Sequence, residues 1–225
     1  MIPDSNVFNW IISPIGNCVK YVGDEVVNAA VLQRSIINTS NMGPLLLIAH
    51  QKFLENGKDD TGISYLIAEN ESLAAKAKEF IESDFDQINS HGLIGLWCAV
   101  ETAVEDTVVL ILMNDDKAQS VLQSHGLLTV KSSIKFPPSD NEARKVYSSL
   151  ENQVRNTKKE VGKSYCHLLS VLGINISVES QILETLCEIN EVRNCILHRG
   201  GIIDDKAVAK SPSLTQYLNK KIKLI

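Results

Sequence analysis

From Ala143 to Leu172 one set of residues falls at near-heptad spacing: Ala143, Tyr147, Leu150, Val154, Thr157, Val161, Tyr165, Leu168 and Leu172. Positions that recur every three or four residues line one face of an α-helix, whereas a half-buried strand needs a period of two. The spacing predicts about nine turns of helix, bent at Gly162 and ending at Gly173. Pro137-Pro138 blocks its extension backwards, and Ser139 with Glu142 forms a capping box at its start.

The rest of the chain reads the same way. A helix is predicted from Asp24 to about Thr39 and is broken by Asn41-Met42-Gly43-Pro44. The next starts at Pro44, runs to about Asn56 and stops at Gly57. From Glu71 to about Asn89 the residues Leu73, Ala77, Phe80, Ile81, Phe85 and Ile88 share one helical face. Gly92 to about Asn114 follows, then a short helix from Asp116 to Ser124 stopped by Gly126. Ser177 is expected to cap a last helix that reaches His198 and ends at Gly200-Gly201. Only Leu127 to Pro138 reads as extended. The tail from Lys206 carries five lysines and no acid, and is expected to be irregular. The fold class is therefore all-α, one helical domain, with residues 1–90 as a helical extension packed on a core formed by 91–225.

Apolar residues at 44% and charged residues at 22% exclude wholesale disorder. The net charge of −5 excludes a surface built to coat nucleic acid or an anionic membrane, so any RNA contact must be local. The most apolar stretch, Leu93 to Met113, is interrupted by Glu101, Glu105 and Asp106, which argues against a membrane span. Five cysteines, with no CxxC pair, predict reduced and buried thiols in a cytoplasmic protein. Met1-Ile2-Pro3-Asp4 shows no basic region of a signal peptide. No His, Cys or carboxylate spacing gathers three metal ligands, and no Gly-rich phosphate loop is present, so no metal and no cofactor is expected.

Chemistry concentrates between Glu188 and Gly201. The apolar stripe Ile182, Leu186, Ile189 and Ile196 also contains Arg193. A guanidinium stays charged wherever it is placed, so on an apolar face it needs a partner. Glu101 and Glu105 lie in a helix apolar on nearly every side and need partners too, and a Glu101–Arg193 ion pair would serve both. A polar stripe carries Asn190, Asn194 and His198. An arginine offers a forked donor to phosphate oxygens, and an imidazole can move a proton near neutral pH. The plainer reading is that Arg193, His198 and Arg199 sit in the last turn of a helix because its dipole favours positive charge there, by about 0.3–1 kcal/mol each.

Arg193-Asn194-x3-His198, on the last turn of a helix and followed by Gly200-Gly201-Ile202-Ile203-Asp204, resembles the Arg-x4–6-His motif of the HEPN superfamily. Gly95-Leu96-Trp97 to Glu105-Asp106 resembles an early core helix of the same family. The resemblance covers roughly residues 92–204. It implies an all-α, homodimeric, metal-independent endoribonuclease acting in stress, toxin–antitoxin or phage defence. A cognate antitoxin or nucleotidyltransferase would be a partner beside RNA. It also implies that His198 is the general acid or base, that Arg193 stabilises charge on the phosphorane, and that Asn194 orients His198 or binds phosphate. Glu101, Glu105, Arg199 and Asn190 would support them. Arg193 and His198 stand about 140° apart on a regular helix, so they share a face only if the last turn loosens. The family's arrangement is a cleft between two protomers. The alternative is a non-catalytic helical module that binds RNA or a partner protein.

Overall fold

The computed structural model describes residues 9–57, 61–127, 135–157, 160–175 and 177–225. These form an all-α protein with no strand among the described residues. In order the helices are α1 (Asn9–Ser40), α2 (Met42–Glu55), α3 (Thr61–Glu82), α4 (Asp86–Asn114), α5 (Ala118–Ser124), α6 (Asp140–Thr157), α7 (Val161–Val171), α8 (Ser180–Arg199) and α9 (Asp205–Lys210). A 3₁₀ turn, Pro212–Tyr217, follows. Among the described residues no helix is long and apolar enough to cross a membrane.

Contacts gather the chain into two compact units. The first holds the described residues up to Val22 and from Leu96 to Ile222. Its core is built by Val108, Val109, Ile111 and Leu112 of α4, Leu122 of α5, Val146, Leu150 and Val154 of α6, and Leu168 of α7. A second cluster, Trp97, Val161 and Tyr165, takes Leu186 and Ile189 of α8 against it. That cluster is what orients the helix bearing the candidate motif.

The second unit holds Gly23 to Gly95 with Lys223–Ile225. Its interior is thin. Ala77 and Asn70 are buried, α2 buries no residue, and Leu45, Ile48 and Tyr65 are exposed. Leu73, expected on the buried face, is also exposed, because the inward face of α3 runs through Asn70 and Ala77 instead.

Several predicted boundaries move. The helix expected from Asp24 begins at Asn9 and carries Pro14 inside it, where the ring is buried. The expected break near residue 90 lies instead at Ser83-Asp84-Phe85. Asp84 and Phe85 take left-handed conformations at φ 56° and 59°, and Phe85 N–H donates to Phe80 O at 2.8 Å. Neither residue is a glycine, which is why sequence reading missed the stop. The long helix predicted across Gly162 is two helices. Glu160 is extended, at φ −93° and ψ 126°, and α7 starts afresh at Val161. A Cβ on Gly162 would stand 3.1 Å from Leu183 Cδ2, so the glycine admits the close approach of α8.

Helix α8 starts at Ser180, with Glu179 rather than Ser177 at its cap position. Ile182, predicted on its apolar stripe, is exposed. The stops at Gly57, Gly126 and Gly173 have positive φ, and so does Gly200 at the end of α8. Gly201 N–H closes that end by donating to Cys195 O at 3.0 Å. The capping glutamate is in place: Ser139 N–H donates to Glu142 Oε2 at 3.0 Å, and Ser139 Oγ donates to the same oxygen at 2.6 Å. These bonds hold the Glu142 carboxyl below its ordinary range, the side-chain bond most of all. The segment predicted as extended, Leu127 to Pro138, falls at 128–134 outside the described residues.

The tail is irregular only in part: α9 and the 3₁₀ turn occupy Asp205–Tyr217 but for Ser211, and isolated bridges at Leu218 and Lys221 follow. Ile203, Ala207 and Leu214 are fully buried. Ile203 N–H donates to Lys220 O at 3.1 Å, and Asn219 N–H donates to Ile203 O at 2.8 Å. Apolar residues spaced too irregularly for a helix face thus wrap the end of α8.

Candidate functional site

Arg193 lies on the α8 stripe that packs toward α4, and its side chain is only 15% exposed. Its Nη2 donates to Glu101 Oε2 at 2.6 Å, and its Nη1 donates to Asn194 Oδ1 at 2.9 Å. The guanidinium carbon stands 5.9 Å from the centre of the Trp97 ring, within cation–π range. The ion pair expected between Glu101 and Arg193 is therefore present.

Glu101 is shared. Its Oε1 is 3.7 Å from Arg155 Nη2 of α6. Arg155 in turn sits 2.8 Å from Glu151 Oε1 and donates to Tyr165 Oη at 3.1 Å. Burial pushes the Tyr165 hydroxyl up to about 12, against the opposing pull of Arg155. It stays a neutral phenol across the working pH range. The chain Asn194, Arg193, Glu101, Arg155, Glu151 ties α8, α4 and α6 together, and sequence reading saw only its central link.

Glu105 serves another cation. With Asp106 and Asp140 it surrounds Arg144, at 2.8, 3.0 and 3.2 Å. These carboxylates, Glu105 foremost, raise the hold of Arg144 on its proton. Glu105 thus belongs to the α4–α6 packing through Arg144, not to the motif on α8.

The other side of α8 opens on a cleft of about 370 Å³. Asn194, Cys195, His198 and Arg199 line it from α8, and Asp204, Lys206 and Lys210 from the segment behind it. Glu191 forms its floor at 6% exposure, accepting from Lys210 Nζ and from Asn190 Nδ2, both at 2.9 Å. Asn190 is thus committed to Glu191. Arg199 Nε stands 2.8 Å from Asp204 Oδ2, while Asp204 Oδ1 accepts the Ala207 N–H at 2.8 Å and caps α9. His198 is exposed and its side chain makes no hydrogen bond among the described residues. Burial raises the thiols of Cys187 and Cys195 above their ordinary range, so both are poor nucleophiles.

Asn194 and His198 therefore meet in one cleft, joined by Arg199. Arg193 does not line it. The helix stays regular through Arg199, so the last turn does not loosen and Arg193 faces the α4 side. Sequence reading missed Lys206 and Lys210. The run of lysines after Asp205 was the available signal, but only the folded tail brings two of them against α8. Among the described residues no three His, Cys, Asp or Glu side chains are grouped to hold a metal ion, and all five cysteines are free thiols. Comparison with models of protein families, with curated proteins and with solved structures returns no match to this chain.

Proposed function

We propose that the chain is a metal-independent endoribonuclease of HEPN type, acting as a homodimer in stress, toxin–antitoxin or phage defence. The observation that carries the reading is His198: an exposed imidazole with no partner among the described residues, beside Asn194 and Arg199 in a polar cleft at the end of the motif helix. A structural histidine of a helix end has no need of such a cleft.

In this mechanism the RNA 2′-oxygen attacks the adjacent phosphorus and the bond from phosphorus to the 5′-oxygen breaks. A cyclic phosphate and a free 5′-hydroxyl result. His198 takes the proton of the 2′-hydroxyl, and the partner subunit's His198 gives one to the departing 5′-oxygen. Arg193, facing the α4 side, acts at one remove: its hydrogen bond fixes the Asn194 amide that lines the cleft beside His198.

The engagement of Arg193 with Glu101 and Trp97 favours a second reading, in which the motif arginine is structural and the module binds RNA or a protein without cutting it. Cleavage of an RNA pool by the purified protein in excess EDTA separates the two. The nuclease reading expects products with cyclic-phosphate ends, lost in His198→Ala and Arg193→Ala while both variants stay folded by circular dichroism. Intact RNA with a folded wild type favours the binding module. Sedimentation adds a second check, since a strict monomer at micromolar concentration removes the composite site.

A further inference from the structure

Three permanent cations line the cleft behind α8, and they differ in how far each is committed. The charge of Lys210 is held by Glu191, whose side chain is only 6% exposed at the floor of the cleft. Arg199 gives only its Nε edge to Asp204, and neither Nη has a partner among the described residues. Lys206, exposed on α9, has no acidic partner among the described residues. Two carboxylates thus offset two of three cations, and the cleft keeps one net positive charge beside the His198 ring. That is the complement of a single phosphodiester monoanion. A phosphate seated there finds no help from the motif arginine, which faces Glu101 on the other side of the helix.

We infer that Lys206, with the Nη edge of Arg199, grips the phosphate in this cleft and so places the reacting bond beside His198. The inference rests on the nuclease reading of the same cleft and names the residues that hold its substrate. An ammonium on a flexible stem neutralises one non-bridging oxygen as a point charge, and the guanidinium edge offers two parallel donors to another. Asp204 keeps that edge aimed, because it caps α9 with one oxygen and holds Arg199 with the other. The tail therefore contributes to substrate binding through Lys206 and Asp204, beyond closing the end of α8.

The test uses a single-stranded RNA with 2′-fluoro riboses, which has no attacking hydroxyl and cannot be cut. Its binding to the full-length protein is followed by fluorescence anisotropy. Lys206→Ala is expected to weaken binding about tenfold, and Lys206→Arg to restore it within about threefold. Arg199→Ala is expected to weaken it comparably. Lys163→Ala removes an equal charge, one already paired with Glu160 and not lining the cleft, and is expected to bind as wild type does. Equal affinity of Lys206→Ala and wild type overturns the inference. So does equal weakening in Lys163→Ala, which would mark a charge effect without a site, and so does a wild type that does not bind the probe. Cleavage of ordinary RNA is scored in parallel. A wild type that binds through Lys206 yet cuts nothing defeats the nuclease reading alone; one that cuts, with Lys206→Ala cutting and binding equally well, defeats the inference alone.

Discussion

Among the described residues Arg193 has one carboxylate within reach, and that carboxylate has two arginines. Glu101 stands 2.6 Å from Arg193 and 3.7 Å from Arg155. The asymmetry sets what each deletion costs. Glu101→Ala leaves a half-stacked, 15% exposed guanidinium without a counter-charge, and is expected to cost about 3 kcal/mol. Arg193→Ala leaves Glu101 with Arg155, and is expected to cost less, about 2 kcal/mol. A double-mutant cycle on thermal or urea unfolding should show a coupling of about 1–3 kcal/mol. Coupling below about 0.5 kcal/mol would mean the pair is incidental to stability. The pair itself was legible in the sequence. An arginine on an apolar stripe and a glutamate on an apolar helix each demand a partner, and one contact satisfies both. Glu151 and Arg155 are an i, i+4 pair within α6, open to local spacing, but the meeting of Arg155 with Glu101 and Tyr165 was not legible, because it depends on how α4, α6 and α7 pack.

At the scale of elements, stops written in glycine were readable and stops written otherwise were not. Gly57, Gly126, Gly173 and Gly200 all take positive φ where the chain leaves a helix. Asp84 and Phe85 do the same without being glycine, and a continuous helical pattern hides them. The division between α6 and α7 was half visible. Gly162 marks the place, but its role is contact with Leu183 and Leu186 of α8, not flexibility. Gly162→Val therefore forces side-chain atoms into a gap already limited to 3.1 Å at Leu183 Cδ2. It is expected to destabilise the protein by about 1–3 kcal/mol, measured as a lowered midpoint of urea unfolding at unchanged slope. An unchanged midpoint would show that α8 can withdraw from α7 without loss. The cleft would then owe its shape to the tail alone.

Over the whole molecule the charge is divided as sharply as the packing. Gly23–Gly95 with Lys223–Ile225 carries six basic against eleven acidic residues, so the entire net charge of −5 lies in the second unit. The remainder of the chain balances to zero. Phosphate recognition then falls to a local excess, and the cleft behind α8 supplies one net positive charge for one phosphate. This has a consequence in salt. Each phosphate neutralised on a single strand contributes about −0.7 to the slope of log K against log salt. A homodimer with two such clefts should give a slope between about −0.7 and −1.4. Anisotropy titrations with single-stranded RNA across a range of sodium chloride measure it directly. A slope steeper than about −3 would require phosphates bound well beyond the two clefts, and the lysines after Asn219 would become the surface to mutate next. A shallow slope accompanied by measurable affinity keeps binding where His198 stands, and ties what an acidic protein can do with RNA to the short segment that folds back over the end of α8.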